Sequence, residues 1–150
     1  MKRNLFLMFL AFNCTLVSCN NGQNKKMQKA TITLQGYLKK QFNQSIKQGK
    51  HFYFLVPGTQ CRSCNIYSSE EIPDSEAKML TIISSYPASH FSDFKDLLLD
   101  TSGILQTLPI INYTNKLLVT QKGKVCAILN IDTNLCSSID SLSLIDFDKK

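Results

Sequence analysis

The chain has 150 residues, with 17 Lys and Arg against 11 Asp and Glu, for a formal net charge of +6. After its N-terminal segments that length leaves enough chain for one compact domain with a single core, and excludes several domains. Its basic residues fall in small clusters, Lys25-Lys26, Lys39-Lys40 and Lys122 with Lys124, with no aromatic interleaving or nucleic-acid motif. They read as a solvated face, which excludes a nucleic-acid partner.

Lys2 and Arg3 open the chain, and an apolar run over 5–12 follows. The run is too short for a bilayer span, which needs about 20 apolar residues. It reads as an export signal to be set aside from the fold. Leu16-Val17-Ser18-Cys19 closes it and looks like a bacterial lipobox, with a branched apolar residue three before the cysteine and a small residue directly before it. That pattern predicts cleavage after residue 18 and lipidation of Cys19. Cys14 is the poorer position, because Phe12 and Asn13 precede it. The alternative is an ordinary secretory signal with a chance cysteine. Loss of Lys2 and Arg3 with the signal lowers the formal charge from +6 to +4. Residues 19–29, polar and glycine-containing, read as a flexible lipid-anchored tether. Asn20, standing where some bacteria use Asp to retain lipoproteins at the inner membrane, points to the periplasmic face of the outer membrane.

In the domain, 30–150, Leu34, Tyr37, Leu38, Phe42 and Ile46 fall at helical spacing, so 30–47 is predicted as an amphipathic helix ended by Gly49. His51-Phe52-Tyr53-Phe54-Leu55-Val56 is short and nearly continuously apolar, which suits a buried strand stopped by Pro57 and Gly58. Cys61-Arg62-Ser63-Cys64 follows, and 65–72 is predicted helical from the cysteine pair onward. Pro73 breaks it, with Asp74 or Ser75 able to cap a further short turn. Residues 78–84 are the second predicted strand. Ser92-Asp93-Phe94-Lys95-Asp96 could open a helix, or Leu97-Leu98-Leu99 could form a short strand; periodicity does not choose. A short helix is predicted over 102–108, ending near Pro109. Residues 116–120 and 125–131 form a hairpin around the turn 121–124. Ile139, Leu142 and Ile145 are spaced for a closing helix. Strands alternating with helices predict an α/β fold, a central mixed sheet with a parallel core and an antiparallel C-terminal hairpin, flanked by helices.

Chemistry concentrates in the cysteines. Cys14 leaves with the signal and Cys19 takes the lipid, so Cys61, Cys64, Cys126 and Cys136 remain, all where disulfides persist after export. A cysteine pair that follows a buried strand and opens a helix meets unsatisfied N–H groups and partial positive charge, which favour a thiolate on the first cysteine. Arg62 adds a cation of the same effect. Cys61 is therefore the expected nucleophile and Cys64 the resolving thiol. A purely structural bridge is the alternative, but one closing so small a loop constrains little chain entropy. Cys126 and Cys136 read as a structural disulfide tying the closing helix to the hairpin, with a relay to the first pair as the sharper alternative. A four-cysteine zinc site lacks a second knuckle of the right spacing. No cofactor fingerprint is visible, and no metal is implied. His51 and His90 read as surface histidines, and Asp100, Asp132 and Glu70 as turn or surface groups.

These residues resemble the thioredoxin-like superfamily, in particular envelope-tethered thiol–disulfide oxidoreductases of the redoxin type. The resemblance covers about 51–131. It rests on Phe52-Tyr53-Phe54-Leu55-Val56 before the pair Cys61 and Cys64, and on the hairpin 116–125. Leu98-Leu99-Asp100-Thr101-Ser102-Gly103 also looks like the strand and turn preceding the redoxin hairpin. It implies a dithiol that exchanges with thiols and disulfides of envelope proteins and a membrane electron donor or acceptor. Two positions depart from the family pattern. Gln60 stands where a Trp usually precedes the first cysteine. Asn115 stands where a cis-proline faces the pair and its neighbouring backbone meets substrate; because a non-proline cis bond costs ~3 kcal/mol, Asn115 is expected trans.

Overall fold

The computed structural model describes residues 2–58, 72, 74–87, 91, 94–112, 114–131 and 139, with side chains described from residue 22 onward. Five strands form one mixed sheet: β1 (His51–Val56), β2 (Leu80–Ser84), β3 (Leu97–Leu99), β4 (Lys116–Gln121) and β5 (Lys124–Asn130). Their order is β3-β2-β1-β4-β5. β1, β2 and β3 run parallel, whereas β4 is antiparallel to both β1 and β5. The protein is thus α/β with a parallel core and an antiparallel closing hairpin, as the alternation of strand and helix signals predicts.

β1 is the middle strand and is buried along its whole length. Its alternation of side chains sorts the core into two faces. Phe52, Phe54 and Val56 join Leu80, Ile82, Leu117 and Val119 on one face, with Ile72, Phe91, Ile131 and Ile139 packed over them. Tyr53 and Leu55 join Ile83 and Leu118 on the other, covered by helix α1 (Lys2–Phe42) through Ala30, Leu34, Tyr37 and Leu38. A strand covered on both sides needs apolar residues at consecutive positions, which is why 52–56 reads as an unbroken run.

α1 departs from expectation at both ends. Its backbone continues through 19–29, where an irregular tether was predicted. Lys, Gln and Met are good helix formers, no proline interrupts them, and Gly22 costs only about 1 kcal/mol. Met27 also packs with the helix-covered core, so the apolar period begins earlier than Ala30. At the other end the helix stops at Phe42 instead of running toward Gly49. Asn43 takes a left-handed conformation, φ 54°, and donates its N–H to Lys39 O at 3.2 Å. Asn tolerates that geometry, which satisfies one terminal carbonyl and closes the helix. Ile46 is still buried, but its N–H donates to Gln35 Oε1 at 3.0 Å from beyond the helix.

The short elements settle the remaining alternatives. Asp74–Ala77 forms one turn of helix, α2, and 97–99 is a strand pairing with β2. Over 102–108 only Ile104–Thr107 is helical, as a 3-10 turn. The predicted helices at 65–72 and in the C-terminal tail lie outside the described residues, apart from Ile72 and Ile139. The β4–β5 turn holds Lys122 at φ 51° and Gly123 at φ 73°, the two left-handed residues that a two-residue hairpin of type I′ requires. A Cβ at Gly123 would stand 3.0 Å from Gln48 Nε2. Gly123→Ala should therefore lower stability by about 1–2 kcal/mol, read as a drop in the urea midpoint at unchanged slope.

Candidate functional site

Because β1, β2 and β3 are parallel, their C-terminal ends open on one edge of the sheet, the edge where open α/β sheets bind ligands. The chain leaves β1 there through the buried Pro57 and then Gly58. Ser85 N donates to Val56 O at 3.1 Å, extending the β1–β2 pairing past the strands. Gly58 approaches both Ser85 and Gln106; a Cβ on it would stand 3.4 Å from Ser85 Cβ and 3.3 Å from Gln106 Nε2.

Asp100 organises the floor of this edge. It is only 4% exposed. Its Oδ1 accepts from Ser102 Oγ at 2.6 Å and Ser102 N at 3.2 Å, and its Oδ2 accepts from Leu105 N at 2.5 Å. Its own N–H donates to Ser84 O at 2.8 Å. Asp100 thus ties the end of β2, through its backbone N–H, to the 3-10 turn that carries Gln106, through its carboxylate. Burial, with the Asp100 charge beside it, pushes the Tyr37 hydroxyl far above the ordinary tyrosine range. Asp100 was expected as a turn or surface group; it is a turn residue, but a buried one, because its two oxygens supply acceptors that an unstranded backbone would otherwise lack.

Asn115 sits at the same end of the sheet. β4 starts with Lys116 opposite Leu55, so the residue before it lies level with the exit of β1. Asn115 is 1% exposed, and its backbone oxygen accepts from Ile131 N at 3.1 Å. No cis peptide bond occurs among the described residues, in keeping with a trans Asn115.

Cys61, Arg62, Cys64 and Cys136 lie outside the described residues, as does His90. Cys19 lies within the helical backbone of α1, with its side chain outside the description. Cys126 is described, half-buried on β5, where its Sγ donates to Lys124 O at 3.5 Å. Register places it at the opposite end of the sheet: Val125 pairs with Thr120, which pairs with His51. The length of β1, about 17 Å for six residues, therefore separates the level of Cys126 from the exit of β1.

At this far end the structure holds a polar cluster that the sequence reading missed. His51 is buried, 4% exposed, and not a surface histidine. Thr81 Oγ1 donates to Asp96 Oδ2 at 2.6 Å. Its single proton is thereby used, so the 2.8 Å contact between His51 Nε2 and Thr81 Oγ1 is donated by the imidazole. Lys47 pairs with Asp96, and its backbone N–H donates to the Tyr53 hydroxyl at 3.0 Å. Burial, then the Lys47 charge, lowers the His51 pKa to about 4, so the ring is neutral near pH 7. The Asp96 carboxyl is held below its usual range: partial burial opposes this, but hydrogen bonds from Lys47 and Thr81 outweigh it. The one hydroxyl at the ring, Thr81 Oγ1, gives its proton to Asp96 and accepts from the imidazole, so His51 is not set as a base toward it and the network reads as structural. The one signal in the sequence was position, since a histidine opening a doubly covered strand has to be buried with it.

A groove of about 700 Å³ runs between α1 and β5, lined by Met27, Thr31, Ile32, Lys124, Cys126 and Ala127 among others. It lies away from the end where β1, β2 and β3 finish. Among the described residues no group of His, Cys, Asp and Glu could hold a metal ion, and no helix is long and apolar enough to cross a membrane. No known protein-family model matches the chain, and no curated protein sequence matches it.

Proposed function

We propose that this protein is a membrane-anchored thiol–disulfide oxidoreductase of thioredoxin-like fold, acting in the bacterial cell envelope through Cys61 and Cys64. The observation that carries the reading is a Cys-x-x-Cys that follows, five residues on in sequence, a strand buried along its whole length whose C-terminal end is where the parallel strands finish. A mixed sheet with a parallel core and an antiparallel closing hairpin is what the resemblance implies, and Asn115 stands level with the exit of β1, where the family keeps its substrate-facing proline. In the reaction, the Cys61 thiolate attacks a partner disulfide, forming a mixed disulfide and releasing one partner thiolate. Cys64 then attacks Cys61 Sγ, freeing the second partner thiolate and leaving a Cys61–Cys64 disulfide. Two electrons pass to the partner, and an envelope dithiol returns them. Run in reverse, the same steps oxidise the partner. Lipidation of Cys19 keeps the domain at the periplasmic face of the outer membrane.

Gln60 and Asn115, in place of the family's tryptophan and proline, favour a second reading: an accessory lipoprotein that keeps the fold without turnover and uses its cysteines as structural bridges. Insulin-disulfide reduction and a glutathione redox titration separate the two. Oxidoreductase function predicts turnover abolished by Cys61→Ser and a reversible transition assigned to Cys61 and Cys64. A Cys61–Cys64 bridge that resists strong reductant, with insulin turnover absent, would establish the accessory reading instead.

A further inference from the structure

All of the chain's Asp and Glu lie at Glu70 or beyond, whereas residues 19–69 carry eight Lys and Arg and no acidic residue. In the structure this asymmetry becomes a surface. At 100° per residue, Lys25, Lys29, Ile32, Gly36, Lys39 and Lys40 share the side of α1 opposite Ala30, Leu34 and Leu38, which pack on the sheet. The lysines are exposed, and the stripe from Lys25 to Lys40 is about 22 Å long. Lys39 and Lys40 also complement the helix C-terminus, and Lys39 Nζ donates to Asn43 Oδ1 at 2.9 Å, but Lys25 and Lys29 have no such service to the helix end. In the middle of the stripe stands Ile32, 68% exposed. Among the described residues the only other exposed large apolar side chain is Leu99, at 38%. A helix with one face packed on its own domain and the other basic, free of acid and carrying an exposed isoleucine fits a surface that is anionic at its level and apolar just below: a phospholipid membrane.

We propose that the outer face of α1 lies on the anionic membrane surface, with Lys25, Lys29, Lys39 and Lys40 against lipid phosphates and Ile32 at the headgroup–acyl boundary. The inference rests on the membrane-anchored reading: Cys19 precedes Lys25 by only about 9 Å of helix, within a Debye length of the bilayer. The domain is then held in one orientation by its helix and does not swing on a loose tether.

The chain contains no tryptophan, so Ile32→Trp introduces the sole indole. The full-length variant, isolated from the envelope, is reconstituted into vesicles of phosphatidylglycerol with brominated phosphatidylcholine, or of brominated phosphatidylcholine alone. Docking predicts blue-shifted, bromine-quenched emission on the anionic vesicles, reversed by high salt. Each of Lys25→Gln and Lys29→Gln should lower the docked ratio about fivefold, the equivalent of ~1 kcal/mol for a lysine at an anionic surface. An unchanged urea midpoint for Ile32→Trp certifies its fold. Water-like, unquenched emission from vesicle-bound protein overturns the proposal, as does an equal response to short duplex DNA, which would assign the face to polyanions at large. Mass spectrometry of the N-terminal peptide reads acylation of Cys19 separately. Acylated Cys19 with an undocked indole sinks the docking alone; unmodified Cys19 with a docked indole sinks the lipid anchor alone.

Discussion

Between pH 7 and pH 4 the protein should lose about 3 kcal/mol of unfolding free energy through His51 alone. The folded-state pKa of His51 is lowered to about 4 from an ordinary 6.5. Between those values the unfolded chain binds a proton that the folded chain refuses, so stability is complete above about pH 6.5, declines as pH falls toward 4, and levels off below. The cause is local: the ring is buried against Tyr53, at a centroid distance of 4.9 Å, and Lys47 adds a repelling charge that Asp96 only partly offsets. Urea unfolding at a series of pH values, with His51→Gln alongside, isolates the effect. Gln keeps an N–H donor for Thr81 but has no proton to gain, so its curve should be flat across the window where the parent slopes. Equal slopes in the two proteins would refute the assignment. Asp96, held below its usual range, titrates later, and its loss of stability lies at more acid pH than the histidine window.

The comparison of chain and structure shows which physical signals are local. The buried strand 51–56 and the hairpin at Lys122-Gly123 were legible because their determinants sit within a few residues: an unbroken apolar run and a glycine where φ must be positive. The end of α1 was misread because Asn43, not Gly49, supplies the left-handed cap, and Ile46 keeps helical spacing by coincidence after the helix has ended. The burial of His51 showed in the sequence only through its place at the head of the strand 51–56, and its cause lies further off. Whether a polar residue goes inside depends on its partners, and these are Thr81, 30 positions away, and through it Asp96. Near the candidate site, the strand 51–56 was readable from its composition, and strand register adds that Asn115 lies level with its C-terminal end while Cys126 lies level with its start. Asp100 lies between the two cases: Asp100-Thr101-Ser102-Gly103 is visibly a turn, but its depth is set by β2 and α1, which only the fold brings together.

That depth makes Asp100→Ala the costliest single change expected at this end of the sheet, at about 3 kcal/mol. Two backbone donors, Ser102 N and Leu105 N, rely on the carboxylate. Removing it leaves Leu105 N buried without an acceptor, and an unsatisfied buried donor costs about 1–3 kcal/mol, more when the lost acceptor was charged. Asp100→Asn keeps the shape and one acceptor oxygen but turns an amide NH₂ toward one of the two donors, so it should cost roughly half as much. The loss should also be localised. The 3-10 turn Ile104–Thr107 is released first, and with it the approach of Gln106 to Gly58 at the exit of β1. Hydrogen exchange would therefore show faster exchange at Leu105 and Leu108 while Phe54 and Leu118, in the central strands, keep their ranking as the most protected amides. If Asp100→Ala left the urea midpoint and the Leu105 exchange rate unchanged, the carboxylate would not be what holds the 3-10 turn against the end of β2. The exit of β1 would then owe its shape to apolar packing alone.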